Sequence, residues 1–164
     1  MQKTLRTSLG ILILTATIAS VGSRTAQADA PQPASGDFVV EHLQPTFAEQ
    51  VGGVSFIELT ATFRLEGTLD GAFDADFSII HLGALDEPAR QIFVAEGTFT
   101  GEVDGASGSF DFIFVGDIDA QGFAEGKLVV IRGTDELANL SGQLTLAGLA
   151  GVAGAYEGTI HFAP

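Results

Sequence analysis

Apolar and polar residues alternate along most of the chain from residue 38 onward. In segment 54–69 one parity is apolar, with Leu59, Phe63 and Leu65, while Glu58 and Arg64 stand on the other. A period of two is typical of a β-strand with one buried face and one wet face. The same alternation marks the segments 38–42, 73–81, 91–103, 109–118, 123–132, 140–149 and 155–162. The pattern predicts eight strands, with one helical turn over residues 135–140.

Two Asp-Gly steps, Asp70-Gly71 and Asp104-Gly105, join alternating segments. A type I′ hairpin turn needs positive φ at both central residues, which Asp and Gly tolerate, so we expect an antiparallel meander with turns at both steps. Glycines inside the strand patterns relieve crowding where a sheet coils tightly, and they favour a closed eight-stranded barrel over an open sandwich. These glycines are Gly97, Gly101, Gly126, Gly142 and Gly158. Such a barrel is filled by side chains or holds one small ligand.

The N-terminal 28 residues have the features of a secretory signal peptide. Lys3 and Arg6 precede an apolar stretch over 9–21, which is too short to cross a bilayer as a helix. The small-x-small sequence at 26–28 (AQA) then fits a cleavage site. We expect a secreted or periplasmic protein that starts at Asp29, with a disordered Pro- and Ala-rich lead-in over 29–35 and one barrel domain over 36–164. The absence of cysteine excludes a lipid-anchored lipoprotein and any disulfide.

Acidic residues dominate the charge. Without the signal peptide, Arg64, Arg90, Lys127 and Arg132 stand against 21 acidic residues, a net charge of −17. Nucleic acids and anionic membrane surfaces need basic patches, so neither is expected as a partner. The acids favour a solvated, self-repelling surface, with cation binding as the alternative.

One acidic segment imitates the first half of a Ca²⁺-binding loop. Asp117, Asp119, Gln121 and Glu125 supply oxygens at positions 1, 3, 5 and 9, with glycine at position 6. The bidentate glutamate expected at position 12 is replaced by Leu128. A β-turn favours the same residues and is the alternative. No histidine pair has metal-ligand spacing, and no cofactor is expected.

Two stretches carry a recognisable arrangement of turn glycines and aromatic residues: 97–110 (GTFTGEVDGASGSF) and 133–142 (GTDELANLSG). They resemble DUF3224, a bacterial family of unknown function with a G-x-F-x-G…G-x-x-G-S-F strand pair and a later G-T-G-E-L-x-x-L-x-G segment. Asp135 stands where that segment has its second glycine. Segments 34–38 (ASGDF) and 67–71 (GTLDG) resemble the family as well. The resemblance implies an allene oxide cyclase-like barrel, eight-stranded and antiparallel, with a central cavity. The chain departs from the family in its signal peptide and in its lack of tryptophan.

Aromatic residues on the apolar strand faces are expected to line such a cavity. They are Phe63, Phe73, Phe77, Phe110, Phe112, Phe114 and Tyr156. His81 shares their parity and is our candidate for the polar group that orients a ligand, the alternative being a strand-end histidine bonded to a backbone carbonyl. Glu96 facing Arg64 or Arg132 would serve the same purpose, the alternative being a salt bridge at the rim.

The residue pattern contains no nucleophile elbow, catalytic triad or phosphate-binding loop, and no catalytic residue is assigned. Three function classes follow: a barrel that binds one small apolar ligand, a cofactor-free isomerase or cyclase, and a structural or interaction domain with a filled core. The enzyme class rests on fold analogy alone, which does not imply function. Binding is therefore the interpretation that we carry forward.

Export is testable directly. N-terminal sequencing of the protein recovered outside the cytoplasm should begin at Asp29, because cleavage follows the small residue Ala28. A chain that retains Met1 in the membrane fraction would contradict this expectation.

Overall fold

The computed structural model describes residues 30–163, so the predicted signal peptide and its cleavage site lie outside the described residues. Its strands are β1 (Gln32–Val51), β2 (Val54–Gly67), β3 (Leu69–His81), β4 (Gln91–Val103), β5 (Ala106–Ile118), β6 (Phe123–Gly133), β7 (Leu140–Leu149) and β8 (Ala153–Phe162). A 3₁₀ turn, Asp135–Leu137, precedes β7, as predicted. Each strand pairs antiparallel with the next, and β1 pairs with β8, which closes the predicted barrel. No helix within residues 30–163 has the length and apolar character needed to cross a membrane.

β1 is much longer than the predicted segment 38–42. It begins at Gln32, inside the stretch 29–35 that was expected to be disordered, and Ala34 is only 2% exposed. Residues 32–39 pair with β8 and residues 36–51 pair with β2. The expectation of disorder was wrong for residues 32–35, because the open edge of β8 offers backbone partners that local composition does not reveal. The barrel domain therefore starts at residue 32 rather than 36.

The two Asp-Gly steps behave differently. Asp104-Gly105 forms the predicted two-residue turn between β4 and β5, with φ values of 51° and 83°. Asp70-Gly71 is not a turn, because both residues lie inside β3 and the chain reverses at Gly67, where φ is 120°. The alternating pattern over 54–69 runs through that reversal without a break, so the pattern alone did not reveal its position.

The two ends of the barrel differ in how well they are filled. The closed end, defined here by the β2–β3, β4–β5 and β6–β7 connections, is packed with aromatic rings. Phe99 stacks on Phe110 with ring centroids 4.8 Å apart, and Phe73 lies 4.7 Å from Phe112. A Cβ atom at Gly97 would lie 2.7 Å from the ring of Phe112, so glycine at this position lets the ring lie against the backbone, as its place in the strand pattern predicted.

Tyr156 seals the closed end. Its hydroxyl oxygen accepts a hydrogen bond from the backbone N–H of Leu69 at 2.8 Å. The O–H of Tyr156 in turn donates to the carbonyl oxygens of Glu66 and Leu69, each of which lies 3.3 Å from the hydroxyl oxygen. Tyr156 and Leu69 are almost completely buried, so water cannot replace the hydrogen bond between the Tyr156 hydroxyl and the backbone N–H of Leu69. One side chain on β8 thus ties down the β2–β3 connection.

The open end is defined by the β1–β2, β3–β4, β5–β6 and β7–β8 connections. Within residues 30–163, no side chain seals it as Tyr156 seals the closed end. Pairing of β1 with β8 stops at Val39, and one more bond follows, from the N–H of Val40 to the carbonyl of Val152 at 2.8 Å. Beyond it, β1 continues to Val51 paired with β2 alone, and its register shifts on both sides of Pro45. Because bulges and proline weaken an edge for strand pairing, this overhang ends the sheet rather than extending it.

Replacing Tyr156 by Phe tests the seal. We expect the variant to lose about 1–3 kcal/mol of unfolding free energy at pH 7, since the buried N–H of Leu69 is left without its acceptor. Burial also raises the pKa of Tyr156. Wild-type stability should therefore be fully present below about pH 10, the unfolded value, and should fall as the pH rises through the folded pKa.

Urea unfolding of both proteins from pH 7 to pH 12 measures the two effects. The difference in unfolding free energy between wild type and Tyr156→Phe should shrink above about pH 10, because only the wild type has a buried phenol to ionise. A constant difference across the range would show that the hydroxyl is not held as described.

Candidate functional site

An apolar cavity of about 230 Å³ occupies the half of the barrel next to the open end. Its wall contains the phenyl rings of Phe38, Phe63, Phe77, Phe93 and Phe114. The last three of these rings contact one another, with centroids 4.9–6.2 Å apart. Aliphatic side chains complete the wall: Leu59, Ile79, Ile118 and Leu146.

Small residues create the space. A Cβ atom at Gly126 would lie 2.6 Å from the ring of Phe114, so this ring lies against the β6 backbone instead of crossing the barrel. Ala61 and Ala124 line the same cavity with single methyl groups. The cavity therefore exists because rings lie flat against glycine and because short side chains stand where larger ones would fill the barrel.

The aromatic residues predicted to line a cavity divide into two groups. Phe63, Phe77 and Phe114 do line it. The other four, Phe73, Phe110, Phe112 and Tyr156, point inward as predicted but belong to the filled closed end. Strand alternation identifies the inward face and says nothing about depth along the barrel axis, so the sequence pattern could not separate the groups.

His81 lies at the open end but does not line the cavity. It is 5% exposed, and its Nε2 atom lies 2.9 Å from the carbonyl oxygen of Ala84. Beside it, the Ser55 hydroxyl donates to the carbonyl of Gly83 at 3.0 Å. His81 thus anchors the β3–β4 connection, which is the alternative that the sequence left open. It is not placed to orient a ligand in this cavity.

Gln91 is the polar side chain that the sequence analysis missed. Within residues 30–163, no other side chain lining the cavity carries a polar group. Gln91 opens β4 directly opposite His81, and its side-chain amide has no hydrogen-bond partner in the described part of the chain. Its parity with Phe93 and Ala95 was the available signal, since an inward polar residue at the end of an apolar strand belongs at a barrel mouth.

The rim of the cavity is apolar as well. Leu43, on the β1 overhang, is 44% exposed, and Leu149, at the end of β7, is 52% exposed. Both line the mouth, together with the glycine-containing turn 150–151. An apolar molecule entering here would exchange water for leucine side chains before it reaches the phenyl rings.

The charged pairs lie on the outer surface. Arg64 bonds to Asp70 at 2.6 Å and Arg132 bonds to Asp111 at 2.8 Å, all four side chains being exposed. Hydrogen bonds from Arg132 and Thr98 hold the pKa of Asp111 below its usual value. Glu96 also points outward. Neither arginine faces a carboxylate inside the barrel, and exposed pairs of this kind contribute little stability.

The Ca²⁺-like segment forms a turn. One carboxylate oxygen of Asp119 accepts hydrogen bonds from the backbone N–H groups of Gln121 and Phe123, both at 2.9 Å. Asp117 is held by Arg90 at 3.2 Å. Across residues 30–163 no three metal-ligating side chains converge. These contacts fit the β-turn alternative.

Comparison with known proteins agrees with this geometry. The family model described as "Protein of unknown function (DUF3224)" matches residues 34–159. The crystal structure of a DUF3224 protein of unknown function from Shewanella oneidensis MR-1 shares the fold, with a TM-score of 0.67 and 24% sequence identity over 82% of this chain and 100% of that one. No curated protein matches significantly.

The family motif also explains one irregular residue. Asp135 replaces the motif's glycine and has a φ of 53°, the left-handed region that glycine adopts most easily and that aspartate tolerates. The strand pattern, the closed barrel and the matched residues lead to one conclusion: this chain belongs to the DUF3224 family.

Proposed function

We propose that this protein is exported and binds one small apolar molecule in the open half of its barrel. The cavity is the observation that carries the proposal: a space of about 230 Å³, walled by phenyl and aliphatic groups and reached through an apolar mouth. Natural interiors are close-packed, and voids larger than a water molecule are few. A void of this size in a barrel rich in phenylalanine therefore supports a ligand site.

The volume limits the size of the ligand. A dry apolar cavity of about 150 Å³ accommodates benzene. In proportion, the present cavity of about 230 Å³ suits a molecule with roughly nine or ten non-hydrogen atoms. Longer molecules would extend past Leu43 and Leu149 into solvent.

Binding is better supported than catalysis. An isomerase or cyclase would need an acid or base within hydrogen-bond reach of its substrate. None of the cavity-lining side chains in residues 30–163 is ionisable, and His81 is bonded to a carbonyl outside the cavity. A binding barrel needs only the apolar wall that is present.

The binding function is tested by calorimetric titration with naphthalene, a hydrocarbon of ten carbons. We expect one molecule to bind per chain. In the variant Ala124→Leu, three added carbon atoms project into the cavity and exclude part of the hydrocarbon. Binding should weaken by roughly tenfold or more, because each ligand carbon kept out of the apolar interior forfeits about 0.8 kcal/mol of transfer free energy.

Two control variants accompany this test. Ala155→Leu adds the same side chain on the exposed outer face of β8 and should leave binding unchanged. Phe112→Ala removes a ring from the filled end and should cost about 3–5 kcal/mol of stability with little effect on affinity. Absence of any naphthalene binding, or equal weakening by both leucine variants, would refute the proposal.

A second candidate, an interaction domain, is favoured by a different observation. Phe56, Ile80 and Ile92 lie opposite one another on the outer face of β2, β3 and β4, and each is 41–43% exposed. With Phe47 and Val94 beside them, they form an apolar outer row on the order of 500 Å², the size of the largest apolar patch on a typical monomer, which is often functional. We propose that a second copy packs row against row about a two-fold axis, because such a contact matches the same patch with itself. A standard interface buries about 800 Å² per partner, so the row would be its apolar centre.

Sedimentation velocity over a range of concentrations tests this self-association. Ile80→Lys should shift the equilibrium toward monomer, while Thr145→Lys, on the outer face of β7 across the barrel, should not. Salt should strengthen association, because each copy carries an excess of carboxylates that repel one another. A monomer at all concentrations and at high salt would contradict it.

A further inference from the structure

We infer that the molecule held in the cavity carries one uncharged hydrogen-bonding group, seated at Gln91, and that the cavity selects against anionic head groups. This inference rests on the proposed binding function and names the chemical class of its ligand. It starts from the composition of the wall. Among the described residues, Gln91 contributes the one polar side chain in a wall that is otherwise hydrocarbon or backbone.

The Gln91 amide is able to serve such a group. A glutamine side chain offers two N–H donors and a carbonyl acceptor, so it matches a hydroxyl, a ketone or an amide equally well. The two polar residues beside it already have hydrogen-bond partners. His81, opposite Gln91, bonds to the carbonyl of Ala84, and Arg90, which precedes Gln91, bonds to Asp117. The free amide at the mouth is therefore the group that a ligand's polar end meets.

The charges around the mouth disfavour an anion. The lining holds no lysine or arginine within residues 30–163, so a carboxylate at Gln91 would lose water without gaining a cation. Arg90, the adjacent basic residue, donates to Asp117 at 3.2 Å on the outer face. The β3–β4 connection, at the same end of the barrel, adds the exposed carboxylates Asp86 and Glu87. Together these groups repel an anionic head and leave an uncharged one unaffected.

Two ligands with similar alkyl chains distinguish the contribution of the head group to binding from that of the alkyl tail. Octan-1-ol and octanoate carry the same type of alkyl chain and differ in the charge of the head group at pH 7. Competition against naphthalene, followed by calorimetry, should show octan-1-ol binding at least tenfold more tightly than octanoate to the wild-type protein.

Variants of Gln91 assign the selectivity to this residue. Gln91→Leu should weaken octan-1-ol severalfold relative to naphthalene, because only the alcohol uses the amide. Gln91→Lys should strengthen octanoate severalfold by supplying the missing cation. Gln143→Lys is the matched control: it adds the same charge on the outer face of β7 and should leave octanoate binding unchanged.

The outcomes separate this inference from the proposed function. If naphthalene binds while octan-1-ol and octanoate bind equally, the cavity is a ligand site and the inference about its selectivity is wrong. Unchanged octan-1-ol affinity in Gln91→Leu would overturn it as well. If none of the three molecules binds, the proposed function fails together with the inference.

Discussion

Closure of the sheet by β1 and β8 is the constraint on which the rest of this molecule depends. Eight strands paired in chain order leave two edges, and the pairing of residues 32–39 with β8 removes them. Closure fixes the diameter, and an eight-stranded barrel has room for about one layer of large side chains across its interior. Several of the phenylalanine rings inside therefore lie against glycine, as Phe112 does at Gly97 and Phe114 at Gly126.

The division of the interior into a filled half and an open half follows from where closure ends. Toward the closed end β1 is paired with both β2 and β8, rings stack, and the Tyr156 hydroxyl ties the β2–β3 connection. Toward the open end β8 stops while β1 continues with β2 alone. No large side chain crosses the barrel there, within the part of the chain that the structure describes, so the apolar space extends to Leu43 and Leu149.

The wall of the barrel separates the charged side chains on its outer surface from the apolar side chains in its interior. The salt bridges Arg64–Asp70, Arg90–Asp117 and Arg132–Asp111 all lie outside, where water screens them. Inside, burial without partners would be costly for any ion, and the lining within residues 30–163 is uncharged. The interior is therefore apolar and uncharged, while the exterior carries the charged side chains beside the apolar outer row.

Alternation and glycine placement determined much of this protein: the strand number, the inward faces, the Asp104-Gly105 turn and the family to which it belongs. Only the tertiary structure decided the rest. The early start of β1 depends on pairing with β8, which is distant in the chain, and the reversal falls at Gly67 instead of Asp70-Gly71. His81 bonds to the carbonyl of Ala84, and Gln91 rather than His81 lines the cavity, which residue type and parity alone did not distinguish. A period of two reports which face a side chain occupies, whereas depth along the axis and the choice of hydrogen-bond partner are set by closure of the whole sheet.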